Sequence, residues 1–594
     1  MAYLIGNRRR LNTIECRKHD FIVRKIDWYA RAGGQKGVSM EFRIEKDVKY
    51  IPHKRHWQFC VGSGHAKLAL RTDYTRQLKF INEELGIRRV RFHGIFDDDM
   101  NTIADLTLRF PLPGAEGFTE QNFHSCGVAY DNVLEAGMKP FVELSFMPGK
   151  LAGGDTQGVF YYKPNITPPG DYDKWADYVR DFILFLQHRY GEEEIRIWFF
   201  EVWNEPDLRA PFFAGSRDEY FRLYEVTARA IKEVDPRLKV GGPATSGSKW
   251  VKSFMEYCHK NEAPVDFITT HQYAGDPLGG IEDQGEEDIS GTANQKEEAK
   301  DVRAGGKDGR DVQEEAAPDS DGKIEEFVSY IKKQLDETEE KTFLAGFRAV
   351  MPDKSELMEI PRDLLARNSV KVKQQAQGLP IYYTEWNANA IFSAYTNDTR
   401  KVAAYQVKTI LDTMDIIDGS SIWCFSDIFE ELHPFGEEFH GGFGLLTLDG
   451  IPKPAFYGLK MLTMAGDERM ELGEDATEGE IGIAGFRKAE ELQILLFRQK
   501  MRSLELPKEH AKVEIQSDRI PERVLAYRID EEHCNPLKLW ERDGRPIDLN
   551  RSEIERLKEE SRMKAEEWEY QYAEGVITVE AELGVNDLYF FRIC

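Results

Sequence analysis

The stretch Ile197-Trp-Phe-Phe-Glu-Val-Trp-Asn-Glu-Pro206 is an apolar run that ends in polar residues. Its nearly continuous apolar character predicts a strand that is buried on both faces, as in a parallel sheet. Asn204 and Glu205 then stand at the carboxyl end of that strand. Because functional residues collect at this end of the strands of a barrel, the stretch indicates both a fold and the position of a site.

Seven similar runs accompany this one along the chain, at residues 57–62, 89–94, 140–146, 239–243, 266–273, 381–386 and 421–426. Segments with helical periodicity separate them; the clearest begins at Asp171, and others are predicted over 217–230 and 401–414. Eight strand–helix units in series predict an α/β fold, a (β/α)8 TIM barrel. A doubly wound sheet is the alternative, but no GxGxxG sequence follows the first strand.

The regions before and after the barrel pattern do not alternate strands with helices. Residues 467–594 contain short strands at 492–497, 512–515 and 576–581 and a charged helix at 552–568, which predicts an accessory antiparallel β-sandwich domain. We expect residues 1–50 to be an N-terminal segment that partly joins this domain, through a strand-like stretch at 38–50. The catalytic barrel then covers 51–466, with an acidic insertion at about 275–340 in which a helix begins near Ile324.

Composition excludes several classes of function. The formal charge is −25, with no concentrated basic stripe, so we expect no nucleic-acid partner. The seven cysteines are scattered and form no CxxC pair, which is typical of reduced thiols. No stretch approaches the length of a membrane span and no signal sequence is evident at the N-terminus, so we expect no membrane partner and a cytoplasmic protein. The spacing of the histidines predicts no metal site, and nothing indicates a cofactor.

A second glutamate, Glu385, is predicted at the end of another barrel strand. The stretch Tyr382-Tyr-Thr-Glu-Trp-Asn387 places Glu385 at the end of the seventh strand, on the same barrel face as Glu205. At about 5–5.5 Å, one carboxylate can attack an anomeric carbon while the other protonates the leaving oxygen, as in retaining glycosidases. A charged Glu385 disfavours ionisation of Glu205, which predicts Glu385 as nucleophile and Glu205 as acid/base. Asn204 is suited to bind a sugar 2-hydroxyl, and Phe146 or Trp423 to stack on a pyranose ring.

The stretch Phe200-Glu-Val-Trp-Asn-Glu-Pro-Asp207 closely resembles the acid/base motif of glycoside hydrolase family 39, which contains β-xylosidases and α-L-iduronidases. Arg91-Phe-His-Gly94, Ser426-Asp-Ile-Phe-Glu-Glu431 and His440-Gly-Gly-Phe-Gly-Leu445 also resemble bacterial β-xylosidase segments, in the same order, within roughly residues 40–465. The resemblance implies the same roles for the two glutamates, and a homo-oligomer. It further implies that the sugar subsite is lined by His93, Asn204, His271, Tyr273, Glu430 and Glu431.

The leading hypothesis is an exo-acting β-D-xylosidase that acts on short xylo-oligosaccharides. One departure from the family pattern, Trp386-Asn-Ala-Asn389 after the nucleophile, bears on the choice of sugar. A β-glucoside, β-galactoside, α-L-arabinoside or α-L-iduronide is therefore an alternative substrate, and an iduronide would require a cation such as Arg91 or Lys150. A barrel that binds carbohydrate without catalysis is a third hypothesis, but such a protein has no need of paired carboxylates.

Overall fold

The computed structural model describes residues 12–18, 21–29, 36–109, 113–114, 118–209, 211–275, 329, 332–338, 342–351, 353–357, 359–392, 394–432, 436–473 and 475–594. Most of the predicted insertion, including the predicted helix start near Ile324, lies outside these ranges; residues 332–337 are helical. Among the described helices, none combines the length and apolar character needed to cross a membrane.

The strands of the described chain are β1 (Asn12–Lys18), β2 (Phe21–Tyr29), β3 (Lys36–Ile44), β4 (Tyr50–Pro52), β5 (Cys60–His65), β6 (Arg89–His93), β7 (Ile103–Asp105), β8 (Thr119–Gln121), β9 (Lys139–Leu144), β10 (Phe199–Val202), β11 (Lys239–Thr245), β12 (Phe267–Tyr273), β13 (Ile381–Asn387), β14 (Gly419–Ile422), β15 (Glu468–Met470), β16 (Ile481–Lys488), β17 (Glu491–Arg498), β18 (Glu509–Gln516), β19 (Val524–Ile529), β20 (Glu566–Glu567), β21 (Tyr570–Ala573), β22 (Val576–Leu583) and β23 (Leu588–Ile593). Its α-helices are α1 (Thr72–Leu85), α2 (Leu106–Arg109), α3 (His124–Glu135), α4 (Tyr172–Tyr190), α5 (Glu192–Ile195), α6 (Arg217–Val234), α7 (Val251–Asn261), α8 (Phe343–Val350), α9 (Lys354–Leu357), α10 (Leu364–Gln375), α11 (Arg400–Thr413), α12 (Pro454–Met464), α13 (Asp475–Glu478), α14 (Pro536–Arg542) and α15 (Arg551–Glu560). Short 3-10 helices cover His56–Gln58, Ala66–Leu70, Asp98–Met100, Ser246–Ser248 and Tyr395–Asp398.

Eight parallel strands close into a barrel in the order of the chain, from β5 through β6 and β9 to β14. Each predicted run supplies one strand, so the predicted TIM barrel is confirmed. The predicted run 421–426 is the least accurate, since β14 ends at Ile422. Beyond that point single backbone bonds still reach the neighbouring strands, from Trp423 N to Trp386 O at 3.1 Å and from Phe425 N to Gly62 O at 3.0 Å. A returning loop supplies others, since Leu445 N donates to Cys424 O at 3.0 Å.

Aromatic rings fill the end of the barrel where the strands begin. Phe59, Phe141, Phe199, Phe267 and Tyr382 form one cluster, in which the rings of Phe141 and Phe199 stack at 5.6 Å. Since this end is packed with side chains, the carboxyl ends of the strands form the open face.

The helix predicted from Asp171 is α4. The Asp171 side chain caps it by accepting hydrogen bonds from Asp173 N and Lys174 N, which satisfies two amide groups that have no partner within the helix. Its buried residues recur at helical spacing and cover the barrel; they are Trp175, Tyr178, Val179, Phe182, Ile183 and Leu186.

Two further sheets form the predicted β-sandwich. One has the strand order β1-β2-β3-β18-β22-β21 and the other β20-β19-β23-β17-β16-β15-β4. Apolar side chains from both sheets share one core, with Phe42 and Val513 from the first sheet and Leu496 and Phe591 from the second. The strand-like stretch at 38–50 contains most of β3, which lies in the first sheet, and its last residue begins β4, which lies in the second.

Two details of the sandwich differ from the sequence prediction. The central pair β3–β18 is parallel, whereas antiparallel pairing was expected throughout. The charged helix ends at Glu560 instead of 568, and residues 566–567 form β20, which pairs with β19. Helical periodicity in charged residues does not show where a helix stops, because exposed strands and helices carry similar residues.

Candidate active site

Glu205 follows the fourth barrel strand, β10, at a sharp turn of the backbone. Trp203 and Glu205 both adopt left-handed conformations, with φ of 71° and 41°, which are uncommon for residues other than glycine. The amide of Glu205 donates to Ala244 O on β11 at 2.9 Å. This bond to the neighbouring strand fixes the turn and directs the Glu205 side chain, 7% exposed, into the open face.

Glu385 lies on the seventh barrel strand, β13, opposite His271 of β12. Its Oε1 accepts from Arg91 at 2.7 Å and its Oε2 accepts from the Tyr273 hydroxyl at 2.9 Å. One oxygen of Glu205, one oxygen of Glu385 and a ring nitrogen of His271 all lie within 4.8 Å of one another. The barrel therefore brings together the two carboxylates that the sequence singled out.

Arg91 is fully buried at the centre of this group. Besides Glu385, it contacts Glu201 Oε2 at 2.5 Å, Asn204 Oδ1 at 2.9 Å and Glu143 Oε2 at 3.0 Å. Several carboxylates buried together need a compensating cation, and Arg91 supplies it. The sequence suggests Arg91 only as a contact for a uronic acid, although a charged residue inside an apolar strand is a signal of such a buried ion pair.

His93, on β6, lies beside the nucleophile candidate. Its Nδ1 is 2.7 Å from Glu143 Oε2, and its Nε2 is 3.6 Å from Glu385 and 3.7 Å from Glu431. Burial lowers the pKa of His93, but the charge of Glu143 and its hydrogen bond outweigh burial and raise that pKa to about 9. His93 is therefore a cation at neutral pH, and the Ser145 hydroxyl holds the other oxygen of Glu143.

The carboxyl groups of the site differ in their preferred protonation. Burial raises the pKa of Glu385, but its interactions with His271 and with the cations Arg91 and His93 outweigh burial and lower that pKa. Burial raises the pKa of Glu431 to about 8. His93 acts in the opposite direction, but burial together with the repulsion from Glu385 and Glu143 outweighs it. The site thus favours an ionised Glu385 and a protonated Glu431 at neutral pH.

Aromatic side chains form one wall. The ring centroid of Trp423 lies 4.7 Å from that of His93. The ring centroid of Phe146, which is fully buried, lies 6.4 Å from that of His93. The rings of Phe212 and Phe160 also approach His93, at 6.1 and 6.5 Å. These last two rings were missed in the sequence, because they lie in irregular loops where periodicity gives no signal.

Glu430 differs from the other predicted subsite residues. Its backbone adopts a left-handed conformation with φ of 51°, and its carboxylate pairs with Arg71 at the start of α1. The neighbouring Glu431 points to His93 instead. The structure therefore brings Glu431 to the site, whereas a substrate contact of Glu430 stays a prediction.

Some buried polar atoms of the site have no hydrogen-bond partner among the described residues. They include Asn204 Nδ2, a donor, and Glu431 Oε1. Unsatisfied buried polar groups are costly, and those in a site fit a ligand that is rich in hydroxyl groups.

A further cluster stands beside the site. His65 is the last residue of β5, and its Nε2 donates to Asp99 Oδ1 at 2.8 Å. One nitrogen of His65 and one oxygen each of Asp97 and Asp99 lie within 4.8 Å of one another. Burial raises the pKa of Asp97 to about 8. The sequence spacing gives no sign of this cluster, because His65 ends β5 whereas Asp97 and Asp99 follow β6. The expected absence of a metal stays a prediction.

A family model for the glycosyl hydrolases of family 39 matches residues 40–312 and 351–578. A β-xylosidase from Caldicellulosiruptor saccharolyticus is 36% identical over 513 residues, which cover 86% of this chain and 89% of that protein. A β-xylosidase from Geobacillus stearothermophilus is 31% identical over 506 residues, 85% of this chain and 86% of that protein. The crystal structure of a monomeric β-xylosidase from Caulobacter crescentus CB15 is similar at a TM-score of 0.68, with 26% identity, and covers 93% of this chain and 99% of that one. The chain therefore belongs to family 39 of the glycoside hydrolases.

Proposed function

We propose that the chain is a retaining, exo-acting β-D-xylosidase that releases xylose from short xylo-oligosaccharides, with Glu385 as nucleophile and Glu205 as acid/base. The observation that carries this proposal is the close approach of the two carboxylates, which have oxygens within 4.8 Å of each other. Retaining enzymes separate these groups by about 5–5.5 Å, and inverting enzymes by about 6.5–9.5 Å to admit a water molecule.

In the first step, the Glu385 carboxylate attacks the anomeric carbon and the bond to the leaving oxygen breaks. That oxygen takes the proton of Glu205, and a glycosyl–enzyme ester remains on Glu385. Arg91 and Tyr273 hold the two oxygens of Glu385, which keeps the nucleophile ionised and oriented. In the second step, the Glu205 carboxylate takes a proton from water, the water oxygen bonds to the anomeric carbon, and Glu385 leaves as a carboxylate.

Contacts between two loops support exo action. Tyr161 N, in the loop after β9, donates to Glu431 O, in the loop after β14, at 3.0 Å. Since these loops stand on either side of β5 and β6, the bond closes the site on the side of His93 and Glu431. A site closed on one side suits the end of a chain better than its interior.

The choice of xylose rests on the relatives, two of which are named β-xylosidases. The cations required for an iduronide are already engaged: Arg91 contacts Glu143, Glu201 and Glu385, and Lys150 pairs with Asp105. A uronic acid would therefore lack a counter-ion from either candidate, which favours an uncharged sugar.

A cytoplasmic location is also part of the proposal. Five cysteines are buried free thiols, namely Cys60, Cys126, Cys258, Cys424 and Cys534, and Cys594 is an exposed one; free thiols are typical of proteins in a reducing compartment. Cell fractionation with an antibody tests the location, and analytical ultracentrifugation tests the expected homo-oligomer.

The test is hydrolysis of aryl β-xyloside, β-glucoside, β-galactoside, α-L-arabinoside and α-L-iduronide by the wild type and by Glu385→Ala and Glu205→Ala. We expect the β-xyloside to be cleaved fastest, with β-xylose as the first anomer seen by NMR. Glu385→Ala should abolish turnover. Glu205→Ala should still release an activated phenol and should be rescued by azide, because azide needs no base.

Glu83→Gln is the matched control, because it removes an exposed carboxylate on α1 whose partner Lys79 is 3.9 Å away. It should leave turnover unchanged. Faster cleavage of another sugar would contradict the substrate, release of the α anomer would contradict retention, and no cleavage of any glycoside would contradict the proposed hydrolysis of these substrates.

A further inference from the structure

A line of hydrogen bonds behind the two glutamates connects Arg91 to Glu205. Arg91 Nε donates to Glu201 Oε2 at 2.5 Å, and the Thr384 hydroxyl donates to Glu201 Oε1 at 2.8 Å. His271 Nε2 lies 3.2 Å from Thr384 Oγ1, and His271 Nδ1 lies 3.0 Å from Glu205 Oε1. Glu201, Thr384 and His271 are all buried, so water does not compete for these bonds.

The direction of each bond follows from the first. Glu201 is paired with Arg91 and is therefore a carboxylate, which only accepts hydrogen bonds. Thr384 has a single hydroxyl hydrogen, and Glu201 takes it, so Thr384 Oγ1 is left as an acceptor toward His271. The nitrogen that faces it, Nε2, must then carry the hydrogen. In a neutral imidazole the other nitrogen, Nδ1, is then an acceptor.

We propose that Thr384, oriented by Glu201, is a positioning residue that holds His271 as the Nε2–H tautomer, and that His271 thereby presents an accepting nitrogen to Glu205. This inference rests on the proposed role of Glu205 as acid/base. It assigns a purpose to Thr384, which directly precedes Glu385, and to Glu201, which lies on the strand that leads to Glu205. Neither residue takes part in the two steps of the proposed reaction.

The tautomer matters in both steps. Before the first step, Nδ1 accepts a hydrogen bond from protonated Glu205 and favours the acid form. In the second step, Nδ1 gives no hydrogen bond to the Glu205 carboxylate, so His271 does not weaken it as a base. The opposite tautomer would donate to Glu205 and stabilise its carboxylate, which opposes both roles.

The charged groups around His271 are consistent with a neutral ring. Glu205, Glu385, Arg91, Glu201 and His93 face it. Burial lowers the pKa of His271, Arg91 and His93 act in the same direction, and Glu385 and Glu201 oppose them without reversing the shift. Around Glu205 itself stand Glu385 and Glu431, together with the Tyr273 hydroxyl.

The direct test is the tautomer of His271 in the full-length enzyme, read from the ¹⁵N shifts and long-range couplings of ¹⁵N-histidine-labelled protein. His271→Gln assigns the resonance. The wild type and Thr384→Ser should show the Nε2–H form. Thr384→Val, which has nearly the same shape but no hydroxyl, should lose that preference. An Nδ1–H form in the wild type overturns the proposal, whatever the activity.

Kinetics supply the second readout. On xylobiose, Thr384→Val should lower kcat/KM about tenfold, a fraction of what a general acid contributes. Its basic limb should move to lower pH by about one unit, because the Glu205 carboxylate gains a donor. On 2,4-dinitrophenyl β-xyloside, whose leaving group needs no proton, kcat/KM should stay close to wild type, and Thr384→Ser should restore both profiles.

Equal losses on both substrates at every pH, with the tautomer unchanged, would show a merely structural effect and overturn the proposal. If the wild type cleaves neither xyloside, the proposed function fails. The NMR result on wild type and Thr384→Ser still decides the hydrogen-bond direction in that case, so the two failures are distinguishable.

Discussion

At the scale of single residues, the site is a group of charges that is buried together. Arg91 is the centre of the group, because it contacts Glu143, Glu201 and Glu385 and no side-chain atom of it reaches solvent. Such an arrangement is not a source of net stability, since each charge has lost its water. It orients the carboxylate of Glu385, the proposed nucleophile, and it depends on every partner being present.

Replacing Arg91 with Met removes the cation and keeps most of the volume. We expect the free energy of unfolding to fall by about 3–5 kcal/mol, because three buried carboxylates lose their counter-ion. We expect kcat/KM to fall about tenfold or more, since the Glu385 carboxylate is no longer held. Chemical denaturation and β-xyloside kinetics measure the two effects.

The control is Arg180→Met on α4, whose guanidinium pairs with Asp177 and Glu233 near the surface. Ion pairs of this kind contribute about 0–1 kcal/mol, so the variant should resemble the wild type. Similar losses of stability in both variants would contradict a special role for Arg91.

The raised pKa of Glu431 predicts that the free energy of unfolding depends on pH. Its pKa is raised from the ordinary 4.5 to about 8, chiefly by burial, so the folded state holds a proton there that the unfolded state releases. Between these two pH values the folded state binds more protons, and the free energy of unfolding therefore falls as pH rises. Glu431→Gln cannot ionise, so relative to wild type it should gain stability between about pH 5 and about pH 8.

Urea denaturation of both proteins across this pH range measures the difference. Glu430→Gln, which removes the neighbouring carboxylate that pairs with Arg71, controls for the loss of a charge in the same loop. A difference between wild type and Glu431→Gln that is constant with pH, or that grows toward acid, would contradict the protonated state of Glu431.

At the scale of elements, the ends of neighbouring strands determine where the aromatic wall stands. Trp423 follows β14, and its ring packs directly over Gly62 of β5. A Cβ atom at Gly62 would lie 2.4 Å from Trp423 Cε3 and 3.2 Å from Ile422 O. Only a glycine allows this ring to lie against the first strand, so the first and last strands of the barrel together position Trp423 beside His93.

We expect Gly62→Ala to displace the Trp423 ring. Overpacking of this kind costs about 1–3 kcal/mol of stability. The bound sugar would also lose its contact with the Trp423 ring, so KM should rise. Denaturation and kinetics on the β-xyloside check both. Gly436→Ala, where a Cβ atom meets no neighbour within 4 Å, is the control. Unchanged KM in Gly62→Ala would show that Trp423 does not contact the substrate.

At the scale of the whole molecule, the two ends of the chain build one β-sandwich. β3, from the N-terminal segment, lies between β2 and β18 and pairs with β18 in parallel. Phe42 on β3 is 1% exposed in the core between the two sheets. The sandwich therefore depends on a strand that precedes the barrel in sequence.

Phe42→Ala tests this dependence. We expect it to lower the free energy of unfolding by about 3–5 kcal/mol, because a large cavity opens in a core that does not contact the site. At temperatures where the protein stays folded, kcat/KM should remain that of the wild type. Phe118→Ala, whose side chain is 64% exposed, is the control and should change neither quantity. Loss of activity without loss of stability would contradict this separation of sandwich and site.

Much of the fold could be predicted because parallel strands buried on both faces are continuous apolar runs, as in residues 197–203 and 381–386. The family resemblance supplied His93, His271, Tyr273 and Glu431, which the structure places around the two glutamates. Glu143 and Thr384 were not predicted as part of the site. A polar residue within an apolar strand can face a helix, a neighbour or the barrel interior, and sequence periodicity does not distinguish these environments.

The number and order of the barrel strands, and the positions of Glu205 and Glu385 at strand ends, can be read from the amino-acid sequence alone, because apolar runs and the polar residues that end them are local properties. The folded barrel is needed to show that Arg91 pairs with Glu385, 294 positions away, and that Thr384 contacts Glu201, 183 positions away. The protonation that each group prefers also depends on the fold. Distances between side chains and the loss of water around them arise when the barrel closes, and electrostatic interactions depend on both.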